Sequence, residues 1–188
     1  MISGNASVLA IESGITQAYE RSSFRALGFF VIHVGGRRYG VYEPDATLLA
    51  NSFDEVERRL VGRGGHTASF ASLDAGKIAD AFRSAIYAEK QETSYFGVSL
   101  SEFCEILYSK HIIWAPDGDA AFDDGSYVLQ FDVRDRVRLI AFKCGPDCLH
   151  DPATLSDVWL ASDDFYCVLQ QWHDGFKSEW ASMPRSLS

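Results

Sequence analysis

Four aspartates stand in nine residues at "DGDAAFDDG" (117–125), with no lysine or arginine among them. Carboxylates at that density can hold a cation, run acid–base chemistry, dock a cationic protein, or simply face water. An EF-hand calcium loop needs oxygen ligands at alternating positions, glycine at its sixth and glutamate at its twelfth. Counted from Asp117, the fifth place holds Ala121, the sixth Phe122 and the twelfth Val128. That metal reading fails. Paired acid–base carboxylates need a pocket that no sequence displays. Asp117, Asp119, Asp123 and Asp124 are left as a solvated run or a docking surface, with Phe122 the aromatic side chain that can anchor a partner amid the charge.

Other reactive residue types are weaker candidates. "CGPDCLH" (144–150) places Cys144, Cys148 and His150 close together. Zinc sites show two tight ligand pairs, and no second pair follows, so reduced, metal-free thiols are expected. "GRGGH" (62–66) shares only glycines with a phosphate loop. Without the Gly-Lys-Ser/Thr it reads as a turn that stops a helix. His33, His66, His111, His150 and His173 are scattered, and a catalytic triad is defined by arrangement in space. No catalytic residue, metal ligand or cofactor is assigned. The chain is not read as an enzyme.

These side chains must be positioned by the surrounding elements. "ALGFFVIHV" (26–34) and "RRYGVYE" (37–43) flank Gly35-Gly36, a hairpin signal because both glycines tolerate positive φ. An earlier strand is expected near Val8–Ile15. Ser52 and Glu55 have capping-box spacing and predict a short helix through about Leu60. Asp74 predicts a helix over about 75–90, and Ser99 with Glu102 predicts another. "HIIWA" (111–115) is short and β-branched, a strand signal. "SYVLQFDV" (126–133) and "RVRLIAFKC" (136–144) alternate about Arg134-Asp135 as an antiparallel hairpin. Both faces carry apolar residues, which predicts an interior place in the sheet. "LSDVWLA" (155–161) adds a strand. The last helix, 163–181, carries one seam of Phe165, Leu169, Trp172, Phe176 and Trp180. The expected class is α+β, a single domain over 1–188, mainly antiparallel sheet built from hairpins with helices packed on one face.

Length and charge bound the function. A chain of 188 residues buries a core without disulfide or metal staples. No run of about 18 apolar residues exists, so no membrane span is expected. The opening "MISGNASVLAIESG" lacks a signal peptide's basic and apolar regions, which makes the cytoplasm the expected compartment. The net charge is −9, and residues 111–188 supply most of it with six basic against thirteen acidic residues. Direct nucleic-acid binding wants the opposite balance. A basic partner, or mere solubility, fits better.

"FDDGSYVLQFDVRDRVRLIAFK" (122–143), the opening "MISGN" (1–5), the early hairpin and a closing helix that contains "FKSEW" (176–180) together resemble the bacterial family Immunity protein 42. That resemblance implies an antidote linked to polymorphic-toxin and contact-dependent inhibition systems. It would bind a cognate toxin domain, as a monomer in a 1:1 complex, and block its active or substrate-binding surface without turnover of its own. A nuclease is the expected toxin, because nucleases carry basic faces that acidic surfaces steer toward. The resemblance transfers no individual contact residue. The rival readings are a small cytoplasmic enzyme whose site is not legible, and an adaptor with a non-toxin partner.

Overall fold

The computed structural model describes residues 1–21, 25–114 and 119–186. In chain order the strands and helices are β1 (Ile2–Asn5), β2 (Leu9–Tyr19), β3 (Ala26–Val34), β4 (Arg37–Tyr39), β5 (Thr47–Leu48), α1 (Leu49–Val61) and α2 (Ala75–Tyr87). Then come β6 (Ser94–Tyr95), β7 (Val98–Ser99), α3 (Leu100–Ser109), β8 (Ile113–Trp114), β9 (Ser126–Val133), β10 (Arg136–Lys143), β11 (Ser156–Ala161), α4 (Ser162–Ser182) and β12 (Arg185–Ser186). A single 3-10 turn, Ala120–Phe122, precedes β9.

Strands β6 and β7 pair separately as a two-stranded ribbon, and the other strands divide between two larger sheets. One runs β1-β2-β3-β4, with β5 added to β3 and β12 added in parallel to β2; the other runs β11-β10-β9-β8. The β9–β10 hairpin is therefore interior, as its two apolar faces require. Its register pairs Val133 with Arg136 and Ser126 with Lys143. The β3–β4 hairpin turns at Gly35 (φ 60°) and Gly36 (φ 81°), the pair of positive φ values that a two-residue turn demands.

Two cores result. Val128, Val137, Leu139 and Ala141 face the first sheet and helices α1 and α4, where Phe30, Phe53, Phe165, Trp172 and Phe176 pack. Leu129, Phe131, Ile140 and Phe142 face α2 and α3, with Phe70, Phe82 and Phe103 among their neighbours. The seam of α4 is thus a core surface. Trp172 is fully buried. It stacks on Phe176 at 5.3 Å, meets Phe30 edge-on at 5.1 Å and donates its Nε1–H to Ser13 Oγ at 3.0 Å.

The α+β class with antiparallel hairpins stands. Asp74 caps α2 by accepting from Lys77 N–H at 2.9 Å, and Ser99 caps α3 by accepting from Glu102 N–H at 3.2 Å. Other local expectations give way to tertiary structure. Helix α1 starts at Leu49, directly out of β5, so Ser52 lies inside it rather than at its cap. Glu55 pairs with Arg58 and Arg59 instead of reaching back to Ser52. Helices also lie on both faces of the four-stranded sheet: α2 and α3 fill one side, and α1 and α4 share the other with the second sheet.

Candidate functional site

Of the acidic stretch, Asp117 lies outside the described residues. The other members take distinct positions. Asp119 opens the 3-10 turn: its Oδ1 accepts from Ala121 N–H at 3.0 Å and from Thr47 Oγ1–H at 3.2 Å. Burial raises its pKa above the ordinary carboxylate value, against the lowering effect of those two bonds. Phe122 is half-buried, packs against the first core and meets Phe30 edge-on at 6.4 Å. Asp124 accepts from Ser126 N–H at 3.1 Å and pairs with Lys143 Nζ at 2.6 Å. Asp123 alone of the described members is exposed.

The fold adds charge that the linear stretch does not contain. Val41 N–H donates to Ala121 O at 2.8 Å, which lays residues 41–47 alongside the turn. That segment carries Glu43 and Asp45, both exposed. Asp45 is fixed by Thr16 Oγ1–H at 2.7 Å. Glu43, Asp45 and Asp123 together form an acidic rim drawn from both halves of the chain. Reading it from sequence would have required knowing that β5 docks beside the turn.

The fold also holds a buried polar network. Arg59 of α1 is wholly buried and sits over the Trp114 ring at 4.2 Å. It donates to Gln130 Oε1 at 2.9 Å and to Ile113 O at 2.7 Å. Its ion pair with Glu55 Oε1 spans 2.7 Å without good hydrogen-bond alignment. Burial lowers the guanidinium pKa to about 10, so it stays charged at neutral pH. Gln130 donates to Asp132 Oδ1 at 3.3 Å and to Tyr166 Oη at 3.1 Å. The Tyr166 hydroxyl donates in turn to Asp132 at 3.0 Å. Its own pKa is raised, first by burial and then by the neighbouring Asp132 charge. His66 N–H also donates to Asp132, at 3.2 Å, and burial lowers the imidazole pKa. The carboxylate of Asp132 and the amide of Gln130 are fully used within the protein, whereas Arg59 Nε, Glu55 Oε1 and His66 Nε2 are buried without a hydrogen-bond partner. The network ties α1, β8, β9 and α4 together, a structural role.

His150 likewise serves the fold. Its Nδ1 lies 2.6 Å from Asp80 Oδ1, and Asp80 also accepts the His150 N–H at 3.1 Å. Cys148 Sγ donates to Tyr87 O at 3.5 Å. All four cysteines are free thiols.

At the far end of the β9–β10 hairpin, two open grooves share Arg63 and Asp163. One, of about 570 Å³, is also lined by Gly64, Arg134, Asp135 and Ser162. The other, of about 400 Å³, is lined by Leu60, Tyr166, Cys167 and Gln170. Among the described residues no helix is long and apolar enough to cross a membrane.

An α+β chain with a buried polar network inside and its charged features at the surface is the class defined here. The crystal structure of CdiI from Burkholderia dolosa AUO158 has the same general fold, with a TM-score of 0.55 and 15% identity over 93% of this chain and 99% of that one. A comparison with curated proteins gives no match. The model of the family Immunity protein 42 matches residues 1–175, and the chain belongs to that family.

Proposed function

We propose that this immunity protein neutralises a cognate toxin domain by binding it in a 1:1 complex and covering its active or substrate-binding surface. It turns over nothing itself and acts in the cytoplasm. The family match across residues 1–175 carries this reading. The CdiI fold is compatible with it.

The toxin is a basic domain of nuclease type. A net charge of −9 favours encounter with such a surface, and a cluster of exposed carboxylates focuses that attraction. Asp123 is the contact from the acidic stretch, with Glu43 and Asp45 beside it and Asp117 as the remaining member. Asp119, Phe122 and Asp124 hold the loop in the shape that presents Asp123. Co-expression with the toxin domain expected to be encoded next to this gene tests the reading. Stable co-purification and restored growth are expected. Continued killing by that toxin with both proteins present overturns it.

A further inference from the structure

In an acidic chain, the concentrated positive charge at the β9–β10 turn stands out. Arg134, Arg136 and Arg138 fall within five residues and are half of the six basic side chains in residues 111–188. Arg138 is committed to the fold: it is buried, forms a two-pronged pair with Asp157 at 2.8 Å and donates to Ala71 O and Leu73 O. Arg134 and Arg136 are exposed, and among the described residues no ion pair engages either.

Arg134 also occupies a position that disfavours it. Its φ is +58°, and it is the first of two central residues in a turn where only that residue has positive φ. Glycine is the natural occupant of such a site, because a Cβ there is crowded. The turn therefore carries the Arg134 side chain at a cost that glycine would avoid.

The surroundings suit a specific ligand group. Arg134 and Arg63 line the same groove, and Arg63 faces it from an ion pair with Asp163 on an exposed surface. Such a pair is worth little in water and exchanges readily for another carboxylate. Arg136 pairs across the sheet with Ala161, beside the groove, and its guanidinium lies 5.0 Å from the centre of the half-buried Trp159 ring. Arginine and tryptophan are the residue types that most often dominate binding energy at interfaces.

We infer that the hairpin end formed by Arg63, Arg134, Arg136 and Trp159 is a second contact surface, one that takes a carboxylate side chain of the toxin. This rests on the toxin-binding reading above. A planar guanidinium fork matches a carboxylate with two parallel hydrogen bonds. A nucleic-acid backbone fits poorly, since Asp135, Asp163 and Asp164 interrupt the positive charge that a row of phosphates requires. With the acidic rim, the surface gives the complex contacts of both signs. The rim steers the encounter, and the arginine end fixes the orientation.

The test is the double variant Arg134→Gly and Arg136→Ser, measured by calorimetry against the adjacent toxin domain. Glycine relieves the turn, so the Arg134→Gly single variant should melt at the same temperature as the parent or higher, which guards against a folding artefact. The double variant should bind about tenfold more weakly or worse. If the parent binds and the variant binds equally well, this inference fails alone. If the parent does not bind that toxin domain, the toxin reading fails and takes this inference with it. Capture of a labelled RNA oligonucleotide by the parent but not the variant overturns the choice of a protein carboxylate as occupant.

Discussion

The acidic loop before β9 and the arginine turn after it lie at opposite ends of one strand, and they use charge differently. In the loop, Asp119 caps a 3-10 turn and Asp124 pairs with Lys143, which leaves Asp123 facing water among the described members. In the turn, Arg134 and Arg136 both face water although the backbone at Arg134 favours glycine. The loop contributes less field than its four aspartates suggest, and the turn contributes more than its place in an acidic half suggests. A charge in a sequence becomes available to a partner only after the fold has taken what it needs for caps and ion pairs.

The sharpest test of that distinction is a charge the fold has taken completely. Replacing Arg59 with alanine leaves Glu55 with only Arg58 and removes one of the two donors to Gln130 Oε1 in a buried site. Breaking a buried pair from one side costs about 3–5 kcal/mol. Urea unfolding should show the loss as an earlier midpoint with an unchanged slope. A loss below about 1 kcal/mol would mean that water reaches the network, against its complete burial here. Asp124→Asn comes next in size. The amide oxygen still accepts from Ser126 N–H, and only the partly exposed pair with Lys143 is lost, so about 0.5–1 kcal/mol is expected. Added salt should shrink that difference.

Much of this layout follows from local pattern. The glycine pair of the first hairpin, the caps at Asp74 and Ser99, the alternation of β9 and β10 and the seam of α4 each depend on residues close together in the chain, and each is found. What fails to show in sequence depends on distant contacts. Ser52 and Glu55 have capping-box spacing, yet β5 feeds straight into α1 and Arg59 claims the glutamate. How the strands divide into sheets is likewise hidden, because alternation marks a strand without naming its neighbour. The acidic rim needs Glu43 and Asp45, which only the docking of residues 41–47 against the turn at Ala121 brings to it.

Asp119→Asn sharpens the contrast through pH. Burial raises the folded pKa of Asp119, so ionisation is easier in the unfolded chain than in the folded one. Its contribution to stability is therefore greatest at low pH, and it is lost as pH rises from the ordinary carboxylate range through the raised value. Asparagine keeps the oxygen that accepts from Ala121 N–H and removes that loss. The variant should be as stable as the parent at neutral pH or slightly more so. Thermal melts at several pH values should show a shallower decline as pH rises from about 4, the ordinary carboxylate value. Identical pH profiles would place Asp119 in water instead.

Asp123→Asn should have the smallest effect on the fold, because the side chain is exposed and caps nothing. A change within about 0.5 kcal/mol is expected from such a surface substitution. Its effect belongs to binding, on the reading that the acidic rim meets a basic toxin. A charge at the rim of an interface acts mainly before contact, by raising the encounter rate, and hardly alters how long the complex lasts. The association rate should therefore fall at low salt, the dissociation rate should hold, and the gap should close as salt approaches about 1 M, where screening reaches only some 3 Å. Adding Glu43→Gln and Asp45→Asn should deepen the loss in the same kinetic step. If the triple variant associates like the parent at every salt concentration, the rim is only solvated and steering does not come from it. If it instead dissociates faster, Asp123 is buried in the complex and pairs there with a toxin cation, and the loop and the arginine turn would then do the same kind of work with opposite charge.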